Sequence, residues 1–129
     1  MSFSIKWENS SIYLLFHGIV SAQDMERAHT IMFNAPRFDH VRFVLWDFSG
    51  VHHASLNHEE VKTMAYCDNV ACSYKRELKG AFVTTHEHLS EHLNNYIAHF
   101  ASLSSNWSLR LFACGTEART WLQPVNSRG

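Results

Sequence analysis

The most apolar stretch of the chain is the run 41–48, VRFVLWDF, in which odd and even positions both carry branched or aromatic side chains. A strand with this pattern is covered on both faces, as the inner strands of parallel sheets are. The run leads into Asp47-Phe48-Ser49-Gly50, where a carboxylate and a hydroxyl interrupt the apolar positions. In open parallel α/β sheets, ligands bind outside the carboxyl ends of the strands. The pattern therefore predicts an inner strand over Val41–Phe48 and a binding site just beyond it.

Two further strands are predicted before this run. Strict alternation over Ser2–Glu8 is typical of an edge strand with one solvated face, and Ile12–Phe16 forms a more apolar second strand. The short turn between them predicts an antiparallel hairpin. Ser21 and Asp24 then have the spacing of a capping box, which predicts the start of a helix. The apolar side of that helix carries Met25, Ala28, His29, Ile31 and Met32.

Helices and strands alternate in the rest of the chain. A helix is predicted to begin between Ser55 and Asn57, and it carries Asp68 on its apolar stripe, where a hydrogen bond is the only role we can assign. A strand over 80–84, an amphipathic helix over 89–100, a strand over 109–113 and a short helix over 116–122 follow. This order predicts an α/β fold with a mixed, mainly parallel sheet of four to five strands and about four helices. We expect a single domain over residues 1–123 and a flexible tail over 124–129.

Composition limits the classes of partner and the compartment. The net charge of the 129 residues is −1 and lysine and arginine form no cluster, so binding to nucleic acid is not expected. Apolar runs are strand-sized and the first residues lack a signal-peptide pattern, so no membrane segment is predicted. The three cysteines have no Cys-x-x-Cys spacing, which is typical of free thiols in the cytoplasm.

Histidine is abundant, with ten residues in the chain. His88 and His92 are four apart, so a helix would place them on one face at a spacing that can chelate a metal ion. A third ligand is not evident, and imidazoles beside an apolar stripe are commonly flanking surface residues. We therefore predict no metal site and keep these two histidines as weak candidates.

Catalytic patterns are missing from the sequence. Asp47 at a strand end has the position of an aspartyl-phosphate nucleophile, but Phe48 and Ser49 follow it in place of a second acid that would hold magnesium. We predict instead that Asp47 accepts backbone N–H groups in the turn towards Gly50. The chain has no Gly-rich phosphate loop and no Gly-x-Ser-x-Gly elbow. We expect no enzyme activity, no catalytic residue and no cofactor.

Four short motifs together resemble the SpoIIAA-like members of the STAS superfamily, bacterial relatives of the anti-sigma factor antagonists. They are Phe16-His17-Gly18 with Ser21-x-x-Asp24, Pro36-Arg37-Phe38, Trp46-Asp47-Phe48-Ser49-Gly50-Val51 and Glu117-Ala118-Arg119-Thr120-Trp121-Leu122. The resemblance implies a small non-enzymatic domain that binds a protein partner, and sometimes a nucleotide or an apolar ligand. In the antagonists a phosphorylatable serine opens the helix after the central strand.

The phosphorylation switch is where the chain departs from the antagonists. Matching the motif letters puts Ser49 at the acceptor place, yet the predicted helix begins several residues later, so we expect Ser49 in a loop. Ser55 is the other candidate acceptor, but we predict that its hydroxyl caps the helix. We therefore expect a partner surface that is not switched by phosphorylation. His52 and His53, with His58, would make it sensitive to mild acid instead.

The sequence thus predicts a regulatory or protein-interaction module with its site on the loop and helix start that follow the inner strand. The predicted partner- or ligand-binding residues are Asp47, Ser49, Ser55, Asn57, His58 and, at the end of the next strand, Thr84. A binder of an apolar, lipid-like ligand or a nucleotide in the same crevice is the alternative, because the many aromatic residues can line a pocket as well as fill a core. A metal-dependent enzyme using the histidines is a third, weaker alternative. The identity of the partner and the formation of a homodimer are left open.

Overall fold

A five-stranded sheet with four α-helices and one 3-10 turn accounts for the described part of the chain, which in this computed structural model comprises residues 2–71, 77–103 and 107–122. In chain order the elements are β1 (Phe3–Glu8), β2 (Ser11–Ser21), α1 (Ala22–Asn34), the 3-10 turn (Pro36–His40), β3 (Phe43–Ser55), α2 (His58–Ala71), β4 (Leu78–Val83), α3 (Glu87–Leu103), β5 (Trp107–Phe112) and α4 (Gly115–Leu122). The predicted tail 124–129 and Cys72 lie outside the described residues.

The strands are arranged in sequence order from β1 to β5, with β1 antiparallel to β2 and every other pair parallel. This confirms the predicted fold class, the hairpin, the edge position of the first strand and the inner position of β3. The hairpin turn contains Asn9 at φ 51°, a left-handed conformation that asparagine tolerates better than most residues.

Strand β3 is longer than predicted. It runs from Phe43 to Ser55, so the segment expected to be a loop after Phe48 is strand. Its pairing with β4 ends at Asp47, and beyond that point it pairs with β2 alone. Val51 and Ala54 still reach the core, and two register shifts in the ladder with β2 accommodate the extra residues of β3. Residues 17–21 of β2 and 50–55 of β3 thus form a two-stranded extension beyond the end of the β3–β4 pairing.

Helices cover the two faces of the sheet unequally. The larger core takes buried residues from α1, α2 and α3, whereas α4 packs alone on the other face, where Ala118 and Leu122 contact Tyr13 and Leu45. Burial of these apolar faces is the main favourable term in folding.

Aromatic rings fill the larger core. Trp46 stacks on Phe82 with centroids 4.3 Å apart, and Phe16 stacks on Phe48 at 4.6 Å. The aromatic residues buried there include Trp46, Phe48, Phe82, Tyr96, Phe100 and Trp107. They pack in the core and do not line the large groove described below.

The start of α1 follows the predicted capping box. Ser21 Oγ accepts a hydrogen bond from the backbone N–H of Asp24 at 3.2 Å, and Asp24 Oδ2 accepts one from the N–H of Ser21 at 2.9 Å. The Ser21 backbone bond holds the pKa of the Asp24 carboxyl below its usual value, because it stabilises the charged form. The sequence therefore determined where α1 begins.

Candidate functional site

The six predicted site residues fall into two groups. The first group lies where the β3–β4 pairing ends: Asp47, Ser49 and Thr84. The second group lies at the far end of the β2–β3 extension: Ser55, Asn57 and His58. At about 3.3 Å of rise per residue, the extension separates the groups by roughly 15–20 Å. They do not form the single crevice expected from the sequence, because β3 continues as a strand between them.

Asp47 and Ser49 are linked directly. The Asp47 Oδ1 atom accepts a hydrogen bond from the backbone N–H of Ser49 at 2.9 Å and a second, short one from its hydroxyl. Asp47 thus accepts a backbone N–H group, as the sequence predicts. Ser49 is exposed within β3, so the prediction that it lies in a loop is wrong.

Thr84 is engaged within the fold. Its side chain is buried, its Oγ1 accepts a hydrogen bond from the N–H of His86 at 3.0 Å, and its own N–H donates to the carbonyl of Phe112. These bonds hold the turn between β4 and α3. Contact with a partner at this position would therefore involve its exposed neighbour Thr85.

The start of α2 is capped by Asn57. Its Oδ1 accepts from the N–H of Glu60 at 2.8 Å, while Glu60 Oε1 accepts from the N–H of Asn57 at 3.0 Å. This reciprocal pair has the geometry of a capping box. The prediction that Ser55 caps the helix is wrong, because Asn57 already fills that role. Ser55 ends β3, paired with Ser21.

A groove of about 710 Å³ lies between α1 and α2 and begins at this Ser21–Ser55 pair. Three glutamates line it (Glu26, Glu59 and Glu60), and no lysine or arginine does so among the described residues. Its lining includes the buried residues His29 and Asp68.

His29 and Asp68 belong to a buried polar network with Trp46 and Tyr96. The indole N–H of Trp46 donates to His29 Nε2 at 2.9 Å, His29 Nδ1 lies 2.8 Å from Asp68 Oδ2, and the Tyr96 hydroxyl donates to the same oxygen at 2.7 Å. The network joins α1, α2 and α3 to β3, and it explains the acidic residue on the apolar stripe of α2. His29 Nε2 accepts the indole N–H of Trp46, so that nitrogen is not available as a base.

A second cluster of imidazoles lies between α2 and α3. The rings of His88 and His92 have centroids 4.6 Å apart, and those of His58 and His92 are 5.5 Å apart. His92 is only 3% exposed, so the prediction of a flanking surface position holds for His88 but not for His92. Within residues 2–71, 77–103 and 107–122, no three His, Cys, Asp or Glu side chains are arranged to hold a metal ion.

Burial lowers the pKa of His92, and the neighbouring rings of His88 and His58 lower it further. Both effects disfavour the charged imidazolium. Neither ring nitrogen of His92 has a hydrogen-bond partner in the described part of the chain.

The sequence analysis missed an exposed apolar surface on β2. Leu15 is 39% exposed and Ile19 is 68% exposed, and they lie on either side of exposed His17. Their register partners on β3 are Asp47 and His53. Helix α4 covers this face over β3, β4 and β5 and packs on Tyr13 of β2, and exposed Leu15 and Ile19 lie beyond that cover.

We call this surface, comprising Leu15, His17 and Ile19 with Asp47 and His53, the uncovered face. The apolar pair Ile19 and Val20 after Gly18 is the signal that could have revealed it, because it shows that the strand continues past Phe16. The second strand, predicted over Ile12–Phe16, continues through Gly18, at φ 71°, to Ser21.

The fold and topology define this chain as an α/β protein with a SpoIIAA-like fold. Two solved structures are similar to it over almost their whole length. The anti-sigma factor antagonist SpoIIAA in its unphosphorylated form has a TM-score of 0.56 and 10% identity, covering 95% of this chain and 99% of its own. An uncharacterised protein of the DUF3478 family from Shewanella loihica PV-4, described as having a SpoIIAA-like fold, has a TM-score of 0.51 and 16% identity, covering 93% and 91%.

Comparison at the level of sequence adds nothing to this result, since no family model and no curated protein matches the chain. Among the described helices, none is long and apolar enough to cross a membrane.

Proposed function

We propose that this protein is a non-catalytic regulatory module of the STAS type that binds a protein partner in the cytoplasm. Its partner surface is the uncovered face together with the exposed residues of segment 49–58. The observation that carries the proposal is the exposure of Ile19 and Leu15 beside the Asp47–Ser49 pair. Large apolar side chains grouped on an uncovered sheet face are typical of interaction sites. The likeness in fold to an anti-sigma factor antagonist supports the same class of function.

The partner surface is constitutive in this proposal. A phosphate on Ser49 would be placed against the Asp47 carboxylate, which already accepts the serine hydroxyl, so two negative charges would repel each other. Ser49 lies inside β3 and not at a helix N-terminus, so it lacks the backbone N–H groups that stabilise a bound phosphate.

The test is capture of the partner from a lysate of the native host, with Ile19→Asp as the disrupting variant. A carboxylate at the centre of an apolar contact leaves a desolvated charge, so we expect the partner to be lost. Ile31→Asp is the matched control, because Ile31 is also an exposed isoleucine but lies on α1, outside the surface.

Retention of the partner by both variants would contradict the proposal, as would loss of the partner from both. Both variants should keep the thermal midpoint of the wild type, since each substituted side chain is exposed. Sedimentation analysis of the captured species tests whether the partner is a second copy of this chain.

A small-molecule binder is the second candidate function, and the groove between α1 and α2 supports it. Its volume of about 710 Å³ is within the range of ligand sites, and Phe33 and Met64 give it apolar surface. The three glutamates would repel a nucleotide, so within this candidate a lipid-like ligand is favoured. Titration with a fatty acid and, separately, with ATP, followed by amide NMR shifts of groove residues, distinguishes the two ligands.

A further inference from the structure

His92 is buried where α2 packs against α3, so a proton on its ring would oppose the packing of the two helices. The ring is buried at the contact between the two helices, and neither nitrogen has a hydrogen-bond partner in the described structure. A neutral imidazole can remain there at moderate cost, whereas an imidazolium without a partner is expensive to bury.

The groups around His92 come from both helices. His58 and Glu60 of α2 and His88 and Glu91 of α3 act on His92 electrostatically. The two glutamates favour a proton on His92, but Glu60 is already engaged with the N–H of Asn57. The rings of His58 and His88 have centroids 5.5 and 4.6 Å from that of His92, and both residues lower the pKa of His92.

We propose that the three imidazoles of His58, His88 and His92 form an acid-sensitive latch that holds the start of α2 against α3 at neutral pH and releases it in mild acid. Release lets water reach His92, which then takes up a proton. The latch is a property of the fold and does not depend on the proposed partner. The proposal assigns the acid response to buried His92, whereas the sequence analysis assigned it to the exposed residues His52 and His53, with His58.

The direction of the pH effect follows from the lowered pKa of His92. The closed form binds fewer protons than the open form, so the closed form is fully stable above the ordinary histidine pKa of about 6.5. Its stability falls as the pH drops below that value and continues to fall down to the lowered pKa. Uptake of one proton on opening raises the opening constant by at most about tenfold per pH unit.

Hydrogen exchange of the full chain at about pH 7.5 and about pH 5.5, corrected for the intrinsic rates, tests the latch. EDTA is present so that no metal ion bridges the imidazoles. We expect peptides from residues 58–70 and 87–103 to lose protection in acid relative to residues 43–46 of β3, which we predict to be among the slowest exchangers. His92→Phe keeps a ring without a titrating nitrogen, so the acid response should disappear.

Two further variants keep the result interpretable. His99→Gln, on the same helix but outside the cluster, should respond to acid as the wild type does. If His92→Phe does not fold, the double variant His58→Asn, His88→Asn removes the repelling rings and should weaken the response. Unchanged protection of the wild type in acid, or a His92→Phe or double variant that opens like the wild type, would overturn the proposal.

Discussion

His29 Nδ1 on α1 lies 2.8 Å from Asp68 Oδ2 on α2, in a position where both side chains are buried. Trp46 donates its indole N–H to the opposite nitrogen of His29, Nε2, at 2.9 Å. The pair therefore connects two helices that flank the groove to the central strand beneath them.

Replacement of Asp68 by alanine should lower the free energy of unfolding by about 2–5 kcal/mol, because the buried Tyr96 hydroxyl would lose its hydrogen bond and buried His29 would lose the neighbouring carboxylate. Urea denaturation measures the change. Glu59→Ala is the control on the same helix, and its exposed side chain should alter the free energy by less than about 0.5 kcal/mol. Equal effects of the two substitutions would show that the network contributes little.

Replacement of Gly80 by alanine should destabilise the protein by about 1–3 kcal/mol. A Cβ atom at this position of β4 would lie 2.5 Å from Trp46 Cζ3 and 2.8 Å from Leu109 Cδ2, closer than packed atoms approach. Thermal denaturation of the variant gives the measurement. Gly115→Ala is the matched control, since a Cβ there meets no atom within 4 Å. A Gly80→Ala protein as stable as this control would contradict the packing described here.

Alanine at Ser49 or Ser55 should leave capture of the partner intact, because the partner surface is proposed to be constitutive and its apolar contact to be centred on Ile19. Intact mass of the protein from its own cells should show no phosphate on either residue. A phosphorylated Ser49 or Ser55 whose aspartate variant releases the partner would refute a constitutive surface while leaving the location of the surface intact.

The local features of the fold were predictable from the sequence. Alternation over Ser2–Glu8 identified an edge strand, two-faced apolarity identified β3 as an inner strand, and the Ser21–Asp24 spacing identified the start of α1. Each of these signals depends on residues within a few positions of one another, which share one element and one pattern of burial.

The candidate site depended on the tertiary structure. Ser49 is a strand residue because β2 continues beside β3 beyond the end of the β3–β4 pairing. Ile19 stays exposed because it lies beyond the part of the sheet that α4 covers. The partners of Trp46 and Asp68 lie 17 and 28 positions away. The sequence by itself determined which segments are strands and helices with an apolar side. Only packing of those elements decided which polar groups meet, because a buried donor or acceptor takes whichever partner the three-dimensional arrangement brings within reach.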